Sequence, residues 1–255
     1  FGRLVPDNHR LNQDLIIPAG AEGGAHDGQI VVATIEQQPE RHQQPVGRVV
    51  EILGEHMAPG MEIEIALRSH HLPCEWPADA AREAARVPQR VPPAELARRR
   101  DLRGLALVTI DPAGSRDLDQ AVAVEAHGSG WRVRYAIADV GAWVAPGGAI
   151  DRDARARTQT YYAPDRRTPL HPPSLGEQAG SLLPDGDRPA VLWTIDVDDA
   201  GETTAIDVAR ATVRSRAQLT YAEVQAAVDE GAAIAPLAPL EGLGTTLLAA
   251  AAARG

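Results

Sequence analysis

The stretch "VTIDPAGSRDLDQAVAV", residues 108–124, places three aspartates between two apolar runs. The apolar runs predict two β-strands, so Asp111, Asp117 and Asp119 lie in the loop between them. Charged carboxylates beside a core are rarely left without a partner. The loop therefore raises the question of what compensates its charge.

A divalent cation is one answer to that question. Asp117 and Asp119 are two positions apart and point the same way in extended backbone, and a loop that folds back would bring Asp111 near them. Three oxygen donors suit Mg²⁺, to which Gln120 would add a neutral oxygen. The alternative is a turn rich in aspartate with an ion pair to Arg116. An EF-hand is excluded, because the required glycine and closing glutamate are missing.

Composition limits the class of protein. The chain has 255 residues with 44% hydrophobic content, enough for one large domain or two smaller ones. No apolar run is long enough to span a membrane, and the single cysteine, Cys74, excludes an internal disulfide and suits a reducing compartment. We therefore expect a cytoplasmic protein without membrane contact. The net charge of −10 argues against a surface that coats nucleic acid, although all 25 basic residues are arginines, which match phosphate well.

The first 100 residues predict a small β-barrel and a linker. Residues 1–72 contain Ile- and Val-rich runs separated by turn signals, and the alternating "MEIEIAL" at 61–67 predicts one more half-buried strand. Short strands at this spacing predict an OB-type barrel. Residues 73–100 are broken by prolines and predict a linker with one or two short helices.

Residues 101–255 predict a second, mixed unit, so the fold class is α+β. Hairpins are expected around "HGSG" at 127–130 and "DDAG" at 198–201, and the last two segments read as helices, the first of which ends at Gly231. A short helix over 151–159 has Asp151 as its predicted N-cap. The proline-rich stretch that follows it, "YYAPDRRTPLHPPSL", predicts no regular structure.

Several ordered motifs resemble one known family. The aspartate loop resembles the signature T-I-D followed by R-D-x-D-D-A of the ribonuclease II / ribonuclease R family. Flanking stretches follow the same pattern in the same order: "DLRGL", "YAIADVGAWV", "IDRDARART", "YYAPDRRTPLHP", "SLLPDGDRPA" and "LTYAEV". Upstream, "VGRVVEILG" and "PGMEIEIALRSHHLPCEWP" resemble the cold-shock-type OB region of ribonuclease R. The resemblance implies an N-terminal OB-type barrel over 1–72, then the N-terminal part of the RNB catalytic domain over 101–255.

The resemblance also implies an activity. Members are hydrolytic 3′→5′ exoribonucleases that release nucleoside 5′-monophosphates from single-stranded RNA with Mg²⁺. Carried over to this chain, Asp111, Asp117 and Asp119 are the expected catalytic and metal-binding residues, with Gln120 beside them. Tyr162 is expected to stack on a base, and Arg166 and Arg167 to contact phosphates. No protein partner can be inferred.

Two differences from the family pattern shape these expectations. The family has aspartate where this chain has Gln120, which leaves open an RNA-binding module with impaired or no catalysis. The family's RNB domain also continues well beyond the point that corresponds to Gly255, so we expect this chain to be a fragment of a longer enzyme.

Overall fold

The computed structural model describes residues 1–8, 10–232 and 234–255. These residues divide into two compact units. Unit 1 comprises Phe1–Cys74 and Tyr162–Arg167, and unit 2 comprises Glu75–Tyr161 and Thr168–Gly255. Helices and sheets are both present, and the predicted α+β fold class is confirmed.

Unit 1 contains a four-stranded sheet in the order β1-β2-β4-β3. Its elements are β1 (Gly2–Leu4), β2 (Leu15–Ile17), β3 (Gln29–Gln37), β4 (Val46–Glu55) and helix α1 (Met61–Ser69). The long antiparallel pair β3–β4 shifts register at three points, and such bulges bend and twist a strand pair. A side chain at Gly47 would place its Cβ 2.2 Å from the Thr34 carbonyl oxygen, so the close approach of the strands requires glycine there.

Helix α1 corrects the prediction of a strand at residues 61–67. When every second residue is apolar, apolar residues also occur four positions apart. In a helix, residues four positions apart lie on the same face, so the segment can bury apolar side chains as a helix too. Met61 and Leu67 are buried, and Glu64 pairs with Arg68 one turn later at 3.5 Å. Gly60 precedes the helix with a φ of 81°, a conformation that turns the chain away from the strand. The short-range ion pair and the glycine therefore favour a helix.

Unit 2 is built around a seven-stranded sheet in the order β13-β6-β7-β8-β11-β12-β5. Its elements are α2 (Ala78–Ala84), α3 (Pro93–Leu96), β5 (Arg100–Asp101), β6 (Val108–Ile110), β7 (Gln120–His127), β8 (Gly130–Ala138), α4 (Ala149–Arg157), β11 (Arg188–Val197), β12 (Thr203–Val213), β13 (Ala217–Leu219), α5 (Tyr221–Asp229) and α6 (Leu240–Arg254). Between α4 and β11, the two-residue strands β9 (Tyr161–Tyr162) and β10 (Arg167–Thr168) pair with each other. The predicted hairpins β7–β8 and β11–β12 and both C-terminal helices are present.

Two local predictions in this region are wrong. Helix α4 begins two residues before Asp151, and Gly148 occupies the N-cap position, because Gly147, with a φ of 74°, already turns the chain there. The Asp151 carboxylate still accepts a hydrogen bond from the Gly147 N–H at 2.9 Å. The sequence predicts no regular structure for the proline-rich stretch, but the stretch forms the β9–β10 pair, since Pro164 lies in the turn and removes no ladder hydrogen bond.

The core of unit 2 lies against one face of the large sheet. It consists of fully or nearly fully buried apolar side chains: Leu107, Leu118, Ala121, Ala136, Leu182, Ala190, Leu192, Ala211 and Val213. On the opposite face, Leu243 of α6 packs on Val124 and Val197. None of the helices in the described ranges is long and apolar enough to cross a membrane.

Candidate active site

The aspartate loop connects β6 and β7, the second and third strands from one edge of the large sheet. Asp111 follows the last residue of β6, and its N–H donates to the Leu219 carbonyl of β13 at 3.0 Å. The next residues form a turn in which the Ser115 N–H donates to the Pro112 carbonyl and Gly114 has a φ of 82°. Glycine adopts this conformation without steric cost, so the "PAGS" sequence reverses the chain and leads it back to β7.

A buried leucine anchors the returning half of the loop. Leu118, between Asp117 and Asp119, is 0% exposed and belongs to the main core cluster. Its carbonyl accepts from the Leu182 N–H at 2.8 Å, and the Asp119 carbonyl accepts from the Ala138 N–H at 2.9 Å. The buried Leu118 side chain and these backbone hydrogen bonds therefore hold Asp117 and Asp119 in place.

The three carboxylates influence one another electrostatically. Partial burial, followed by repulsion from the Asp117 carboxylate, raises the pKa of Asp111 above its usual value. Burial also raises the pKa of Asp119, with further contributions from Asp117 and Asp111. Asp119 keeps much of its surface open to solvent, but the surrounding protein atoms still make its charged form less favourable. The predicted folding back of the loop thus brings the three charges within interaction range.

The chemistry of this donor set fits a hard divalent cation. All three side chains offer carboxylate oxygens, and their mutual repulsion is relieved when positive charge lies among them. Within the described ranges, however, no three His, Cys, Asp or Glu side chains are already arranged as a metal cage. Mg²⁺ does not require such a cage, because it is usually held by one or two carboxylates together with waters and substrate phosphates.

Gln120 is placed differently from the aspartates. It is the first residue of β7 and pairs with Ile137, whereas Asp119 precedes the strand. Consecutive residues of a strand project to opposite faces, so the Gln120 side chain lies on the face opposite that of the buried Ala121. Its amide oxygen accepts a hydrogen bond from the Tyr135 hydroxyl.

The other predicted binding residues, Tyr162, Arg166 and Arg167, belong to unit 1. Tyr162 is 75% exposed, so its ring is open to solvent. Arg166 forms ion pairs with Asp165 at 2.9 Å and with Glu64, which together offset its charge. Arg167, at the start of β10, is only partly exposed.

Two further groups, which the sequence does not single out, contact this region. Ser181 is buried and contacts the backbone of the aspartate loop, although the motif "SLLPDGDRPA" contains it. Asp139, directly after β8, accepts from Arg99 at 2.7 Å and pairs with Arg210 at 3.0 Å. Its partners are 40 and 71 residues away in sequence, so spacing alone carried no signal of either contact.

Comparison with known proteins identifies the family. A model of the RNB domain matches residues 99–247, which is more than half of the chain, and a model of the cold-shock domain matches residues 4–77. The chain belongs to the RNB-domain family. The predicted resemblance is thereby confirmed, including the cold-shock region before the RNB domain.

Curated relatives of this RNB-domain chain are ribonuclease R proteins. That of Acidithiobacillus ferrooxidans is 42% identical over 225 residues, which cover 88% of this chain and 51% of the relative. That of Escherichia coli K12 is 40% identical over 224 residues, which cover 88% of this chain and 28% of the relative. The chain therefore spans about half or less of the length of these relatives.

Solved structures support the same fold. The Mycoplasma genitalium RNase R in complex with double-stranded RNA matches with a TM-score of 0.86 at 24% identity, covering 99% of this chain and 46% of that one. Yeast Ssd1, described as a pseudonuclease, matches with a TM-score of 0.73 at 19% identity, covering 96% of this chain and 32% of that one. At these identities the likeness shows the fold alone, and a pseudonuclease shares that fold.

Proposed function

We propose that this RNB-domain protein is a Mg²⁺-dependent exoribonuclease that degrades single-stranded RNA from its 3′ end and releases nucleoside 5′-monophosphates. The observation that carries the proposal is the loop of three electrostatically coupled aspartates between β6 and β7, inside the RNB match. The identity to ribonuclease R relatives supports the same activity. The single cysteine suits the reducing cytoplasm, which is the location we propose.

The aspartates would hold the cation and, through it, the scissile phosphate. Asp111, Asp117 and Asp119 supply the oxygen donors, and Leu118 keeps the last two from turning inward, because its own side chain fills the core. Bound Mg²⁺ would polarise the phosphate and lower the pKa of a water molecule. A phosphate among three carboxylates is otherwise repelled, so the acidic loop and the anionic substrate are compatible only in the presence of positive charge.

RNA binding would draw on unit 1. The exposed ring of Tyr162 can stack on any base, which suits degradation without sequence preference. Arg166 and Arg167 are the proposed phosphate contacts, with Arg166 exchanging its carboxylate partners for RNA. The structural neighbour from M. genitalium was also solved with ribose-methylated single-stranded RNA, which supports this substrate class.

The test uses the full gene product and one single-stranded RNA in two forms, labelled at its 5′ end to follow shortening and in every phosphate to follow released nucleotides. With Mg²⁺ we expect stepwise shortening from the 3′ end and release of nucleoside 5′-monophosphates, and loss of both with EDTA. Asp119→Asn should abolish most of the activity. Asp199→Asn, in the exposed turn between β11 and β12, is the matched control and should behave as wild type. If the wild type releases no mononucleotides, or Asp119→Asn is as active, the proposal is wrong.

Gln120→Asp separates this function from an RNA-binding module with impaired catalysis. The Gln120 amide oxygen already accepts from the Tyr135 hydroxyl of β8, so we expect the substitution to leave kcat close to that of the wild type. A large gain in kcat would instead support the impaired module.

A further inference from the structure

One buried serine, Ser181, forms hydrogen bonds to the backbone of the aspartate loop. Ser181 follows the short helical segment Leu175–Ala179 and Gly180, and it is 1% exposed. Its hydroxyl donates to the Arg116 carbonyl at 2.6 Å and accepts from the Leu118 N–H at 3.0 Å. The two loop groups lie on either side of Asp117, so a single hydroxyl fixes the backbone around that residue.

The serine is itself held in place. The Ser181 carbonyl accepts from the Arg188 Nε at 2.7 Å, and the next residue, Leu182, donates its N–H to the Leu118 carbonyl and is buried in the same core cluster. The hydroxyl therefore has little freedom to follow the loop if the loop moves. The two hydrogen bonds use its only proton and one of its two acceptor lone pairs.

We propose that Ser181 is the positioning residue of the aspartate loop and sets the orientation of the Asp117 and Asp119 carboxylates for catalysis. The inference rests on the proposed nuclease function, but the geometry of the serine contacts does not. No other side chain in the described ranges hydrogen-bonds to the backbone of both Arg116 and Leu118. Without the hydroxyl, the Leu118 N–H and the Arg116 carbonyl lose their partners, and the loop must shift to find water or other groups.

The kinetic test compares three substitutions in the full gene product. Ser181→Ala should lower kcat on single-stranded RNA by about 10- to 100-fold, the range typical of residues that orient metal-binding side chains, with KM for RNA unchanged. Ser181→Thr keeps the hydroxyl and should recover most of kcat. Ser174→Ala is the matched control, because the Ser174 hydroxyl donates to the Ala84 carbonyl on α2 at 3.2 Å and not to the backbone of the aspartate loop.

A second readout does not depend on catalysis. In metal-free protein, amide hydrogen exchange at Leu118 should be faster in Ser181→Ala by on the order of tenfold, the effect of losing one hydrogen bond, and near wild type in Ser181→Thr and Ser174→Ala. If Ser181→Ala does not fold, Ser181→Cys, which keeps the volume with a weaker donor and acceptor, is measured in its place. Unchanged Leu118 exchange together with unchanged kcat would overturn the proposal. If neither the wild type nor any variant cleaves RNA, the proposed function is wrong. The exchange data then still show whether Ser181 holds the backbone of the aspartate loop.

Discussion

Replacement of Leu118 by alanine tests whether the aspartate loop is anchored by its apolar centre. The Leu118 side chain is fully buried with Leu107 and Leu182. Leu→Ala substitutions at buried sites cost about 2–5 kcal/mol, and full burial places this one at about 3–5 kcal/mol. For a unit of roughly 150–250 residues, each kcal/mol lowers Tm by about 2–4 °C, so we expect a fall of about 6–20 °C.

The assay is thermal unfolding of the full gene product followed by circular dichroism, with Leu248→Ala as control. Leu248 lies on α6 and is 75% exposed, so its truncation should change stability by no more than about 0.5 kcal/mol. The backbone bonds of Leu118 to Ser181 and Leu182 do not involve its side chain. Well below Tm, kcat should therefore fall less in Leu118→Ala than in Ser181→Ala. A Tm shift below about 2 °C would refute the idea that this leucine anchors the loop.

Three further predictions concern charge and RNA contact. The pKa values of Asp111 and Asp119 are raised in the folded state, so their stabilising contribution is complete below the ordinary value of about 3.9 and is lost as pH rises through the folded pKa. In metal-free protein, Asp119→Asn should therefore be more stable than wild type at pH 7 and lose that advantage near pH 3.5, as measured by urea unfolding; equal stability at pH 7 would contradict this. Arg157 is buried, pairs with Asp153 at 2.7 Å and lies 3.8 Å over the Trp76 ring. Arg157→Met should therefore lower the free energy of unfolding by about 3–5 kcal/mol in the same assay. A change within experimental error would show that the ion pair does not stabilise the fold. Tyr162→Ala should weaken binding of single-stranded RNA by about 1–3 kcal/mol in fluorescence anisotropy while Tyr162→Phe does not, and equal loss in both would exclude stacking.

The two hairpins of unit 2 and the aspartate loop could be predicted because their signals are local. Apolar runs with turn residues at "HGSG" and "DDAG" set both hairpins, and the "PAGS" turn explains how Asp111 comes near Asp117 and Asp119. A local pattern does not predict the secondary structure when it is compatible with both a strand and a helix. The alternation at 61–67 fits a strand and also the i, i+4 spacing of helix α1, and the choice depends on contacts such as the ion pair of Arg68 with Glu51 at 2.6 Å.

The parts of the site that depend on distant contacts could not be predicted. Ser181 reaches Arg116 and Leu118 across 65 and 63 residues, and no spacing in the sequence indicates that pairing. Nor does the sequence indicate that the Gln120 amide oxygen accepts from the Tyr135 hydroxyl, 15 residues later.

Binding of Mn²⁺ to the RNA-free protein, followed by electron paramagnetic resonance, tests most directly whether the aspartate loop is a divalent-metal site. We expect the full gene product to bind Mn²⁺ and Mg²⁺ to compete for the same site. Asp119→Asn should bind at least about tenfold more weakly, and Asp199→Asn should bind as the wild type does. Equal Mn²⁺ affinity in wild type and Asp119→Asn would contradict the assignment of the aspartate loop as the metal site.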